Sequence, residues 1–405
     1  MSARSAPPPS ELAFLDGLRG LAALYVLIGH ARWLLWEGYS EGYLHHPDDY
    51  GRVGKALVLL ASAFRWGNAA VIFFFVLSGF VIHLGYARRA LAEGPRVRFD
   101  YWPYLVRRAR RLYPPFLLAL LLTWALDTWG RRLRLPLHHG LYPLLLDGGL
   151  GFDHRLTTAV RNLVFITNPV FGSDGPLWSL NYEAYFYLLY PAVFAIARRS
   201  WQAATIALVA LSAIGFAPIW PASLLWLRGV FELMIVWWLG ALLAERFAGR
   251  LGLGYGRLSM LTLSFLALPF WRWDPNAQAI VLGFAFTGML AACLGLKESG
   301  RVASSGGQGS FGRWVARGSR VVSCLARLRP LGAMSYTLYV IHFPILVFMG
   351  GCLTKARGGT LPEHFGWAAL GILLCVLIAW LFHFLVERPF TSHRRPSEGA
   401  PRGLT

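Results

Sequence analysis

The chain predicts an all-α polytopic membrane protein, a bundle of about ten transmembrane helices with both termini cytoplasmic. Three observations carry that. Of its 405 residues, 56% are hydrophobic and only 15% are charged. Mean hydropathy is +0.47. Apolar runs long enough to span a bilayer, roughly 17–25 residues, recur from end to end, which a soluble domain with one buried core does not show. The net charge of +19 invites a polyanion as partner. The basic residues, however, cluster between apolar runs, where the positive-inside rule places them. Membrane lipid is therefore the expected partner, and nucleic acid is not.

Residues 1–11, MSARSAPPPSE, are polar and proline-rich and read as a disordered cytoplasmic N-terminus. No small-residue cleavage site follows the first apolar run, so that run is a retained helix. The spans fall near 12–36, 69–86, 112–129, 177–197, 202–220, 222–245, 257–272, 277–296, 331–351 and 365–387. The third is short and opens on Pro114 and Pro115. Residues 87–111 are rich in arginine, as are 297–329 and the tail after Glu387, whereas the segment from Glu37 to Asp49 is acidic. That asymmetry puts both termini inside and requires an even number of crossings. The basic stretch 130–176 then lies outside. Its apolar patches, LYPLLL and NLVFIT, suit a re-entrant or acceptor-binding element better than a passive connector. Within the cytoplasmic linker 297–329, SGRVASSGGQGSFG is expected to be flexible. Residues 391–405 read as a disordered cytoplasmic tail.

The first span, LAFLDGLRGLAALYVLIGHARWLLW, carries Asp16, Arg19 and His30. Arg19 and His30 are eleven positions apart, about three turns plus ~20°, so they share one face ~16 Å apart along the axis. Ionisable groups in a bilayer cost about 2.5–3.5 kcal/mol each and mark functional paths. The bland alternative is a snorkelling Arg19 and a packing histidine. In GSDGPLWSLNYEAYFYLLYP, Glu183 lies about six residues, or ~9 Å, inside its helix, a depth that matches His30. A histidine and a carboxylate at one depth suit general-base chemistry on an alcohol, or a structural ion pair.

Two further motifs are singled out. Arg107, Arg108, Arg110 and Arg111 in RRARRLYPP suit a polyphosphate, although an ordinary positive-inside anchor has the same composition. Ser335, Tyr339 and His342 follow i, i+4, i+7 and share a face. With Asp16, Ser78, Trp178, Ser179 and Tyr187 they form a polar or aromatic set that could line a path. His30 has no partner at i±3 or i±4, and the four cysteines sit singly, so no metal site is expected.

The segments LDGLRGLAALYVLIGH, FFFVLSGF, RRARRLYP, LWSLNYEAYFYLLYP, GAMSYTLYVIHFP and VERPF follow one another across residues 12–390. Together they resemble the membrane acyltransferase-3 family of bacterial O-acyltransferases, including its ten-residue gap between Arg and His. The resemblance implies a protein of the bacterial cytoplasmic membrane that takes an acyl group, most often acetyl, from cytoplasmic acyl-CoA. It delivers that group to a hydroxyl, usually on a glycan, at the outer face, with no permanently bound cofactor. It makes His30 the catalytic histidine and Arg19 its partner, acting on donor phosphate or thioester oxygen. It likewise makes Arg107, Arg108, Arg110 and Arg111 the donor motif and Glu183 the acidic residue of the WSL segment. Some members append an esterase-like domain; ending at 405, this chain is expected to be the stand-alone form. The competing function is a proton-coupled transporter or flippase, which also uses intramembrane Arg, His and Glu. The sequence shows none of the inverted-repeat symmetry common among transporters.

Overall fold

A computed structural model of the chain describes residues 12–94, 97–139, 152–252, 254–263, 274–304 and 310–391. Every regular element among them is a helix, apart from one isolated bridge between Asp153 and Gly172. In hydrocarbon each backbone polar group must be satisfied within its own segment, which helices achieve. In chain order the helices are α1 (Ala13–Leu34), α2 (Arg52–Ser62), α3 (Gly67–Glu93), α4 (Tyr101–Arg132), α5 (Leu156–Leu163), α6 (Trp178–Ala197) and α7 (Trp201–Phe216). They continue as α8 (Leu225–Phe247), α9 (Tyr255–Leu263), α10 (Pro275–Ser304), α11 (Ser310–Cys324), α12 (Arg329–Ala333), α13 (Ser335–Ala356) and α14 (Gly366–Phe382).

Among the described residues, seven stretches are long and apolar enough to cross a membrane; α1, α3, α4, α8, α10, α13 and α14 form them. Of the other three expected spans, α6 is a helix of 20 residues and α7 one of 16. The last, 257–272, lies partly outside the described residues. The third expected span is longer than its apolar core. α4 runs 32 residues with Pro114 and Pro115 inside it, about 48 Å of helix. The linker 297–329 is helical over Ser310–Cys324. Residues 1–11 and 392–405 lie outside the described residues.

The centre of the bundle is α13. Every residue from Ser335 to Val347 is buried, as expected of a helix apolar on all sides and enclosed by others. It packs on α1, α4 and α14. Close backbone approach sets the remaining contacts. At the crossing of α3 and α8, a Cβ on Gly79 would overlap the Trp237 carbonyl, and one on Gly240 would overlap that of Val76. Small residues at such crossings let membrane helices meet without a hydrophobic driving force. Beside the α3–α8 crossing, the buried His83 ring bonds Tyr190 on α6 at 2.8 Å and Glu245 on α8 at 2.7 Å.

The segment between α4 and α6 folds onto the bundle. Asp127, fully buried on α4, accepts from Ser173 N at 2.8 Å and Ser173 Oγ at 2.7 Å. It also bonds His154 Nε2 at 3.0 Å and lies 3.5 Å from His138 Nε2. Two histidines of the basic stretch thus fasten it down. Residues 140–151, with all of LYPLLL, lie outside the described residues.

Candidate active site

Two cavities occupy the core. The first, of ≈ 70 Å³, draws on α1, α3, α4, α6 and α13 and is lined by Arg19, Ser78, Arg108, Arg111, Glu183 and Tyr187 among apolar side chains. Helical periodicity divides the arginine motif. Arg108 and Arg111, three positions apart, line the cavity, whereas Arg107 and Arg110 are exposed. The Arg108 guanidinium lies 5.8 Å from the ring centres of Tyr104 and Tyr187. Its Nε is buried without a hydrogen-bond partner among the described residues. Glu183 accepts a hydrogen bond from Tyr187. Ser78 Oγ is 3.2 Å from the Tyr187 hydroxyl and accepts from Trp237 Nε1 at 3.3 Å. Three cations therefore face one carboxylate. In a low-dielectric wall that imbalance attracts an anion.

The second cavity is a vestibule further along α1. Two wings of ≈ 580 and ≈ 500 Å³ both include Val26, His30, Arg32, Trp33, Asn68 and Trp178. One extends past Glu37, Tyr39 and Glu41, the other past Arg65, Trp66 and Asn276. Large aromatic faces beside amide and charged groups suit a polar ring system.

His30 sits between the wings, and its hydrogen bonding fixes its chemistry. His30 Nδ1 is 2.9 Å from His342 Nε2. The other nitrogen of His342, Nδ1, lies 2.7 Å from the Tyr339 carbonyl and 3.1 Å from that of Leu338. Carbonyls only accept, so Nδ1 of His342 carries its proton and, in the neutral ring, Nε2 is an acceptor. His30 must then donate from Nδ1. Its Nε2 keeps a lone pair and makes no hydrogen bond among the described residues. The ring is also held edge-on by Phe343 at 4.9 Å. The partner that orients His30 is thus His342, not Glu183, which belongs to the first cavity.

The remaining expected residues divide between the two cavities. Ser179, Ser335 and Tyr339 line the first, Trp178 the vestibule, and Tyr339 lines both. Asp16 lies outside both linings, 3.8 Å from Arg19 and 3.7 Å from Arg329. Among the described residues of the stretch 130–176, those that line the vestibule are Leu137, Val170, Gly175 and Pro176. At its end, burial beside Asp127 pushes the Asp174 carboxyl above the usual carboxylate range. Sequence reasoning underrated His342. The i, i+4, i+7 stripe on α13 was its signal, but nothing in the sequence pairs positions 30 and 342. No group of three or more His, Cys, Asp or Glu that could hold a metal occurs among the described residues.

The profile of a family described as an acyltransferase domain matches residues 12–384. The chain is 25% identical to "Acyltransferase MdmB" of Streptomyces mycarofaciens, over 98% of this chain and 97% of that one. It is 29% identical to "Protein 2 in picA locus" of Rhizobium radiobacter, over 52% of this chain and 95% of that protein. It is 25% identical to "Putative peptidoglycan O-acetyltransferase YrhL" of Bacillus subtilis, over 80% of this chain and 51% of that one. No solved structure matches the chain.

Proposed function

The chain belongs to the acyltransferase-3 family, and from that premise we propose that it carries an acyl group from acyl-CoA to a hydroxyl across the membrane, with His30 as general base. The observation that carries this reading is the fixed tautomer of His30, whose Nε2 is left basic inside the vestibule. The cationic cavity of Arg19, Arg108 and Arg111 supports an anionic donor, and phosphate oxygens are the natural partners of paired guanidiniums.

In this mechanism the acceptor hydroxyl lies against His30 Nε2 while its oxygen attacks the thioester carbonyl. The hydroxyl proton passes to Nε2 as the new C–O bond forms. The imidazolium is held by the Nδ1–H bond to His342, which is anchored in turn on two helix carbonyls. Arg19, with Arg108 and Arg111, holds the anionic donor in the first cavity during the attack. Collapse breaks the C–S bond, and the thiolate leaves as the thiol once it takes the proton back.

The cavities also support a topology. Residues early in α1, α4 and α13 and the middle of α3 line the first cavity, while the C-terminal half of α1, the start of α3 and Tyr339 and Phe343, further along α13, line the vestibule. With the excess of arginine near the first cavity, the positive-inside rule makes that side cytoplasmic and the vestibule external. Ten crossings with both termini inside fit this arrangement once α6, α7 and 257–272 are counted. The bacterial cytoplasmic membrane is the matching location. The name of one relative, the putative peptidoglycan O-acetyltransferase YrhL, favours acetyl as the group and a glycan as the acceptor.

Purified protein with radiolabelled acetyl-CoA and candidate glycans tests the reading. Label is expected on a sugar hydroxyl with release of CoA, and His30→Ala should lower the rate by about 10² to 10⁴-fold while inserting normally. Solute flux without CoA release would support a transporter instead.

A further inference from the structure

The two cavities do not open freely into one another. Only Val71 and Tyr339 line both the first cavity and the larger wing of the vestibule, and no residue of the smaller wing lines the first cavity. Val71 is a small apolar wall. Tyr339 is fastened. Its hydroxyl donates to the Pro176 carbonyl at 3.0 Å and lies 2.8 Å from Ser179 Oγ. Those two bonds join α13 to the start of α6, and the Phe74 ring stands edge-on to Tyr339 at 6.2 Å.

We propose that Tyr339 is the gate between the donor cavity and the vestibule, held closed by its hydrogen bonds to Pro176 and Ser179. Opening is a side-chain rotation. The Tyr339 carbonyl holds Nδ1–H of His342, so a backbone shift would undo the tautomer that makes His30 a base. A rotating phenol breaks two hydrogen bonds and leaves that carbonyl in place. Closed, the gate keeps vestibule water from a thioester in the first cavity. Open, it joins that cavity to His30. Its purpose rests on the acyl-donor reading above, but its existence does not.

Thiol labelling tests the gate without any acyl donor. In full-length protein with Cys293, Cys324, Cys352 and Cys375 replaced by alanine, Ser78→Cys places a thiol in the first cavity only. An impermeant anionic methanethiosulfonate, drawn in by the arginines, is applied from the vestibule side. Ser40→Cys, exposed at the vestibule, identifies that side. With Tyr339 present Ser78→Cys should label only slowly. Tyr339→Ala should label it fastest, and Tyr339→Phe should raise the rate at least about fivefold. If Tyr339→Ala does not fold, Tyr339→Phe, which keeps the ring and loses only the latch, carries the test. Labelling as fast with Tyr339 intact as in Tyr339→Ala overturns the gate. So does an unlabelled thiol in every variant that reacts fully once denatured. In parallel, Tyr339→Ala should increase acetyl-CoA hydrolysis without acceptor. If labelling follows the prediction but no variant turns over acetyl-CoA, the gate stands and the donor reading falls.

Discussion

His30 owes its chemistry to a residue 312 positions away. A histidine on an apolar helix can present either nitrogen, and the carbonyls of Leu338 and Tyr339, acting through His342, select one of them. The account therefore predicts that His342→Phe lowers kcat by about 10²–10³-fold with little change in KM for the donor. His342→Gln, whose carbonyl oxygen can accept from His30 Nδ1, should recover part of that loss. Glu183→Gln should leave the shape of the pH–rate profile unchanged, because Glu183 bonds Tyr187 rather than His30. The arginines give a second residue-scale prediction. Arg108→Ala and Arg111→Ala should each raise KM for acyl-CoA about ten- to a hundredfold, as for loss of a charge-assisted hydrogen bond. Arg107→Ala and Arg110→Ala, on the exposed face, should change it less than about twofold. A motif that reads as four equivalent cations in sequence is two pairs once wound into a helix.

At the scale of elements, the sequence was informative wherever a signal is local. Long apolar runs foretell most of the helices, and the spacing of Arg19 and His30 on α1 predicts one face with two separate stations. Boundaries were less legible. α4 begins at Tyr101, well before its apolar core, because the arginines and leucine ahead of that core are good helix formers. The α3–α8 crossing was also hidden, since Gly79 and Gly240 look like ordinary glycines of apolar runs until the backbones meet. Gly79→Leu should cost on the order of 1–3 kcal/mol or more by overpacking, read as a lower melting temperature of the purified protein. Gly85→Leu on the same helix, where a Cβ meets nothing within 4 Å, is the control and should melt as the parent does.

For the whole molecule, the sequence predicts polarity but not connectivity. Charge asymmetry and the order of motifs indicate a donor station near one surface and a base near the other. That the two are separate cavities with Tyr339 between them depends on helices distant in sequence, and no periodicity reports such contacts. The same holds for the anchoring of 130–176. Its apolar patches suggested an acceptor-binding element, whereas its His138 and His154 sit on the buried Asp127. The vestibule instead takes its aromatic walls from Trp33 on α1, Trp66 and Trp178. The most direct measurement of the central claim uses sealed vesicles, inverted and right-side-out, from membranes of the cell that makes this protein. Radiolabelled acetyl-CoA is added outside, and label in the membrane glycan is counted. The account predicts incorporation in inverted vesicles, none in sealed right-side-out vesicles, and loss of the signal with His30→Ala. Equal incorporation with His30→Ala, or incorporation only from the vestibule side, would contradict it.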